Sequence, residues 1–442
     1  METIIKNQLM SYLSDNSLIS TAQHAFIAKH STASNMLEST REWSLAISNK
    51  LTVDIIYVDF QRAFDSVVHS KLLLKLRTFG ISGKLLDWVS VFIHNRMQQV
   101  SVENCLSGAI SVTSGIVQGS VLGPILFILF VNDICNLLHG SVSHILFADD
   151  LKLFSKFILS DLLDNHSYSP MQDILNRVFY WSVIWQLPIN ILKCLCLRLN
   201  QRVLSCSPHY VINDSVITNV SSARDLGVIL NSRLDYSEQI ASIVTRASAR
   251  VGVLFRGFVC RDAAFLCKAY ITYIRPILEF NSIVWNPVLQ KYIDQIEKVQ
   301  RKFTKRIPSL RNLPYLQRLE NLNLQTLELR RLIFDITYYY KILHNMTPHN
   351  PIDFFTFHHP PSSSRRTTPL ILKPIASAKL LSSFQYRAID CWNHLPNEVQ
   401  MSNSLCSFKN SVHKIDLTSF LHGSCYNDIC NFQWFCSETS KS

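Results

Sequence analysis

Two adjacent carboxylates, Asp149 and Asp150, stand between the apolar runs His144-Ile145-Leu146-Phe147-Ala148 and Leu151-Lys152-Leu153-Phe154. A strand–turn–strand reading places both acids at the tip of a hairpin, outside the buried part of a sheet, where both can face one divalent cation. An ordinary solvated turn uses the same pair, because a short carboxylate bonds its own backbone. The choice between the two depends on what the rest of the chain brings to the hairpin.

The elements upstream supply a third acid. Val53-Asp54-Ile55-Ile56-Tyr57-Val58-Asp59-Phe60 reads as a mostly buried strand ending on a carboxylate, followed by Gln61-Arg62-Ala63-Phe64-Asp65-Ser66. Asp65 or Ser66 is expected to cap a helix in which Leu72, Leu73, Leu76 and Phe79 fall at helical spacing before Gly80 ends it. Asp59 therefore sits at a strand end, where a sheet edge gathers side chains around a ligand. Placing it beside Asp149 and Asp150 is repulsive without a cation. With Mg²⁺ or Mn²⁺ the same carboxylates make a two-metal clamp for in-line phosphoryl transfer.

Between these segments, Ser114-Gly115-Ile116-Val117-Gln118-Gly119-Ser120-Val121-Leu122-Gly123-Pro124 is punctuated by glycine and leads into an apolar run. Glycines 115, 119 and 123 permit close backbone approach to a ligand, and Gln118 offers a donor and an acceptor to a base or sugar edge. A loop before a core helix has the same look.

The order of these three segments, 58–67, 114–124 and 147–150, resembles the polymerase core of reverse transcriptases, most closely those of non-long-terminal-repeat retrotransposons of the jockey and chicken-repeat-one type. The resemblance implies an α+β right-hand polymerase with partial fingers, a palm of antiparallel sheet backed by helices, and a helical thumb. It implies that Asp59, Asp149 and Asp150 bind two catalytic Mg²⁺ (or Mn²⁺) ions. Phe64 would match the aromatic gate against a ribose 2′-hydroxyl, and Phe60, Gln118 and Gly119 would line the nucleotide and its templating base. Trp181 to Leu199 resembles the next palm motif, whose Lys, here Lys193, would protonate the departing pyrophosphate. Asp225-Leu226-Gly227-Val228 with Leu230 resembles the primer-grip hairpin, and segments 270–287, 296–307 and 391–399 resemble thumb and C-terminal segments. The match runs from about Leu18 to Lys414. The implied activity is RNA-directed DNA synthesis from dNTPs on an RNA template and a DNA primer; the competing reading is an inactive nucleic-acid-binding relic.

Charge agrees in kind. The 442 residues carry a net charge of +11, and residues 241–345 hold seventeen Lys plus Arg against seven Asp plus Glu, nearly all of the surplus. Such a balance favours a polyanionic partner. Lys298, Arg301, Lys302 and Lys305 fall on one helix face beside an apolar stripe of Ile296, Val299, Phe303 and Ile307. That basic ridge suits a phosphate backbone, although a solvated face has the same pattern.

Other classes lack support. The longest apolar stretch, Val121 to Val131, is broken by Gly123-Pro124 and is too short to span a membrane. No N-terminal signal pattern is present, so the chain is expected to be intracellular, in nucleus or cytoplasm, with no membrane partner. Twelve scattered cysteines suggest free thiols rather than a disulfide framework; His422, Cys425, Cys430 and Cys436 allow, without a strong pattern, a zinc knuckle. No GxSxG, HExxH or phosphate-loop motif occurs.

The expected organisation is residues 1–50 as partial fingers, 51–240 as palm, 241–345 as thumb, 346–415 as a C-terminal region with a Pro/Ser-rich loop at 358–369, and 416–442 as a tail. Gln23-His24-Ala25-Phe26 resembles the family's Gln-His-Gly-Phe-Arg stretch, with Ala25 and Ile27 at its Gly and Arg positions and Lys29 nearby; Val117 replaces the usual Pro of the middle motif. These departures, and a start just before the family's second fingers motif, imply a truncated polymerase with impaired nucleotide grip; no endonuclease domain is recognised, so integration would need a separate endonuclease or a further part of the reading frame.

Overall fold

A computed structural model describes residues 1–138, 140–158, 170–200, 209–359 and 368–423. The chain divides into two compact units, one of Met1–Asn35 with Asn49–Ala223 and one of Met36–Ser48 with Arg224–Ser442. Two stretches, 36–48 and 224–240, thus cluster with the second unit.

The first unit is built on a five-stranded sheet of β1 (Thr52–Val58), β2 (Val142–Phe147), β3 (Asp150–Phe157), β4 (Leu195–Leu199) and β5 (Thr218–Val220), in the order β5-β4-β1-β3-β2. All neighbours are antiparallel except β5 beside β4. β1 is central and its run of β-branched residues is buried along nearly its whole length, as a strand covered on both faces should be. Its one buried acid, Asp54, is neutralised within the sheet. Arg198 on β4 donates to it from Nε at 2.5 Å and from Nη2 at 2.7 Å, and Tyr210 Oη at 2.7 Å.

Behind the sheet, the helix Gly123–Val131 is apolar all round and buried at every position but Pro124, the pattern of a helix inside a core. The helix His69–Thr78 packs through Leu72 and Leu76, as their spacing predicts. It starts later than the sequence suggests. Residues 61–66 form turns, and Asp65 and Ser66 do not cap it. Their bonds go elsewhere: Ser66 Oγ donates to Gln61 O at 2.9 Å, while Asp65 holds the middle motif.

Lys75 is buried in this core. It donates to Phe130 O and to Asp133 Oδ1, and its Nζ stands 3.8 Å from the Trp185 ring centroid and 4.6 Å from those of Trp181 and Phe130.

In the second unit, Ser222–Asp225 and Val228–Asn231 pair as a hairpin, of which Ser222 and Ala223 fall in the first unit. The two loop residues, Leu226 and Gly227, have φ of 42° and 88°. Positive values at both match the twist of two-residue hairpins, and a Cβ at 227 would meet the Phe280 ring at 2.9 Å. The helix Gln290–Lys305 buries Ile293, Ile296, Val299 and Phe303; Phe303 stacks on Tyr270 with centroids 4.4 Å apart. Asp335 and Arg387, both buried, are joined at 2.6 and 2.8 Å.

The described cysteines are all free, and five of them are buried. Among the described residues no helix is long and apolar enough to cross a membrane.

Candidate active site

Asp59 follows directly on the last residue of β1 and is fixed by its backbone. Asn190 N donates to Asp59 O at 2.7 Å, Gln61 N to Pro188 O at 2.8 Å, and Phe60 bridges Ile189. The register pairs Val58 with Leu151, so the next step across the two strands sets Asp59 opposite Asp150. Asp150 pairs with Phe147, which leaves Ala148 and Asp149 as a two-residue hairpin loop. The hairpin expected from the sequence is therefore present.

Burial holds the Asp149 carboxyl above the usual carboxylate range, and the charge of Asp59 pushes it the same way, against a hydrogen bond from the Asp149 backbone. The two acids, 90 residues apart in sequence, lie close enough to repel. A carboxylate pair with oxygen donors, in which the charge of Asp59 disfavours the charged form of Asp149 until a cation arrives, fits Mg²⁺ or Mn²⁺. Among the described residues no group of three or more His, Cys, Asp or Glu forms a ready metal cage. Of the three acids expected to cluster, Asp59 and Asp149 are near enough to interact, Asp150 is exposed at the start of β3, and the three do not form such a group.

Lys193 lies on the same side. Its Nζ is 3.9 Å from Asp59 Oδ2, and with side chains 69% and 38% exposed the pair adds little stability. Lys193 also lines a cleft of about 410 Å³ with Phe60, Gln61, Arg62, Ser66 and Asn190.

The middle motif is laid against the turn that follows Asp59. Ile116 N donates to Phe64 O and Gly115 N to Val67 O, each at 2.8 Å, Ser114 Oγ donates to Asp65 O at 3.0 Å, and Gln118 Nε2 donates to Asp65 Oδ1 at 2.6 Å. Gly115 is needed at this crossing: its φ is +94° and a Cβ would sit 3.0 Å from the Asp65 backbone. Phe64, Gln118 and Gly119 line a second cleft of about 320 Å³ with Ile116, Val117 and Pro124.

The sequence reading did not foresee the contact between Gln23 and the hairpin loop. Residues 22–24 run beside β2, with Leu146 N donating to Ala22 O and His24 N to Leu146 O, each at 2.9 Å, and the Gln23 side chain reaches Ala148. Only the resemblance of the surrounding stretch hinted at a role. Ala25 is fully buried and is not among the residues of positive φ, so its position requires no glycine. Ile27 is half-buried and Lys29 exposed.

In the second unit, Lys298, Lys302 and Lys305 are exposed on the helix Gln290–Lys305, with the apolar stripe buried behind them. Arg301 is half-buried, its guanidinium 5.0 Å from the Tyr315 ring centroid. Cys425, Cys430 and Cys436, and residues 360–367 of the Pro/Ser-rich loop, lie outside the described residues.

Comparison with known proteins gives one family match: residues 1–230 fit the model described as reverse transcriptase (RNA-dependent DNA polymerase). The RNA-directed DNA polymerase from mobile element jockey of Drosophila funebris is 25% identical over 316 residues, covering 70% of this chain and 34% of that protein. Its Drosophila melanogaster counterpart is 27% identical over 320 residues, with the same two coverages. The chain thus spans about a third of the length of these relatives. The apo telomerase of Candida tropicalis superposes with a TM-score of 0.43 at 11% identity, covering 80% of this chain and 55% of that one, too distant to add weight.

Proposed function

Because the chain belongs to the reverse transcriptase (RNA-dependent DNA polymerase) family, we propose that it extends a DNA primer on an RNA template with dNTPs, as part of a retrotransposon polymerase. The observation that carries this reading is the strand register that sets Asp59 across from Asp150, with Asp149 beside it in the hairpin loop, next to a cleft lined by Lys193.

In this reading Asp59 and Asp149 hold two Mg²⁺ (or Mn²⁺) ions, with Asp150 in support. When bound, such ions lower the pKa of the primer 3′-hydroxyl and neutralise charge on the phosphates. The primer 3′-hydroxyl loses its proton to solvent as its oxygen attacks the α-phosphorus, the bond to the bridging oxygen breaks, and pyrophosphate leaves with a proton from Lys193, which solvent then restores. Phe64 excludes a ribose 2′-hydroxyl, while Phe60, Gln118 and Gly119 line the nucleotide and its templating base. Lys298, Arg301, Lys302 and Lys305 follow the phosphate backbone. Residues 1–50 serve as fingers, 51–240 as palm and 241–345 as thumb. The reaction takes place in the nucleus or cytoplasm.

Primer extension on an RNA template with Mg²⁺, with Asp149→Ala as control, tests this. Extension by the parent chain that falls by about 10²-fold or more in the variant supports it. Equal extension by both, or none from either while salt-sensitive RNA binding persists, would leave a binding relic instead.

A further inference from the structure

We infer that Gln23 is a positioning residue for this reaction: its side-chain amide fixes the backbone of Ala148 and, through it, the direction of the Asp149 carboxylate. The inference rests on the reading of Asp149 as a metal ligand.

The loop between β2 and β3 has an unfavourable residue in it. Ala148 has a φ of +58°, while Asp149 is not among the residues of positive φ. A two-residue hairpin loop with positive φ at its first position alone is the type that prefers glycine there. Alanine pays for its Cβ in this region, so the conformation persists only where the surroundings over-determine it.

Gln23 supplies that constraint. It is 2% exposed, and its Oε1 accepts from Ala148 N and from Ala25 N, each at 2.9 Å, while Nε2 points back to Ala148 O at 3.4 Å. The first two bonds are well formed and the third is weak. Backbone bonds from Ala22 and His24 to Leu146 hold the segment against β2, and Asn35 Nδ2 adds a bond to Leu146 O at 3.0 Å. The Gln23 side chain carries this ladder past the end of the strand to the residue before Asp149. An amide is required for both polarities, and the length of glutamine spans the gap; a carboxylate here would add a charge beside the acids.

The test compares the parent chain, Gln23→Ala and Gln23→Ala with Ala148→Gly. Three readouts are used: amide hydrogen exchange of the 144–152 segment, Mn²⁺ binding by electron paramagnetic resonance, and primer extension. In Gln23→Ala the Ala148 amide should exchange at least about 10-fold faster. Mn²⁺ affinity and kcat should each fall by about 10- to 100-fold, as for other groups that orient metal ligands, with KM for template-primer unchanged. Glycine at 148 adopts positive φ without penalty, so the double variant should regain most of the lost Mn²⁺ affinity and kcat. Unchanged exchange in Gln23→Ala, or faster exchange with Mn²⁺ affinity intact, overturns the inference, as does a failure of Ala148→Gly to restore affinity. A parent chain that binds Mn²⁺ and responds to these variants yet extends no primer sinks the polymerase reading and leaves the positioning role standing.

Discussion

The ring of Phe64 lies flat on that of Phe127, with centroids 4.0 Å apart and planes 15° from parallel. Phe127 is fully buried in the helix Gly123–Val131, so the aromatic residue that lines the second cleft is braced from the core. Replacing it with a smaller residue opens the space a 2′-hydroxyl would need. Phe64→Val should lower the preference for dNTPs over rNTPs by about 10- to 200-fold, the range expected for small changes in pocket bulk. Phe127→Leu, which removes only the surface that Phe64 leans on, should lower it by a smaller factor. Single-nucleotide incorporation, read as the ratio of kcat/KM values, measures both; an unaltered ratio in Phe64→Val would remove this residue from the nucleotide site.

Lys75 gives a pH signature of the core. Burial pushes its amine down to about 8, against the pull of Asp133. The folded chain then sheds this proton near 8 and the unfolded chain near 10.5. Between those values the unfolded state binds more protons, so stability rises with pH across this window, and below about 8 the full cost of burying the cation is present. The gap is equivalent to about 3 kcal/mol at most, because the three aromatic faces around Nζ favour the charged form. Urea unfolding at pH about 7.5 and about 9.5 should show this rise in the parent chain and a flatter response in Lys75→Met. Parallel responses in the two proteins would mean that Lys75 keeps its proton throughout.

These two sites show what a sequence can disclose. The end of β1 at Val58, just before Asp59, and the hairpin around Asp149 were legible because both lie in runs whose β-branched and apolar content is local information. The surroundings of Lys75 were not: its partners Phe130, Asp133, Trp181 and Trp185 are 55 to 110 residues away, and helical spacing marks Leu72 and Leu76 as buried without saying what lies between them. The helix start was misplaced for a related reason. Asp65 is a good capping residue by type, but its side chain is taken by Gln118, 53 residues on. Gln23 and Ala148 are 125 residues apart, and no local pattern announces that contact.

The helix Gln290–Lys305 separates its two faces sharply enough to test charge apart from folding. Lys298, Lys302 and Lys305 are exposed while Ile296, Val299 and Phe303 are buried. Truncating surface lysines generally changes stability by no more than about 0.5 kcal/mol each, so Lys298→Ala, Lys302→Ala and Lys305→Ala together should leave thermal unfolding close to that of the parent chain. Binding to a template-primer duplex should respond differently. Each lysine that neutralises a phosphate contributes roughly 0.9 to the slope of log affinity against log salt, so loss of all three should reduce that slope by up to about 2.7. Affinity at low salt should fall steeply and converge on the parent value as salt rises, because screening removes what the lysines supplied. Arg301 is different in kind: half-buried against Tyr315, it is expected to cost stability when truncated and so makes a poor probe of binding. An intact fold with an unchanged salt slope in the triple variant would remove these three lysines from any phosphate path.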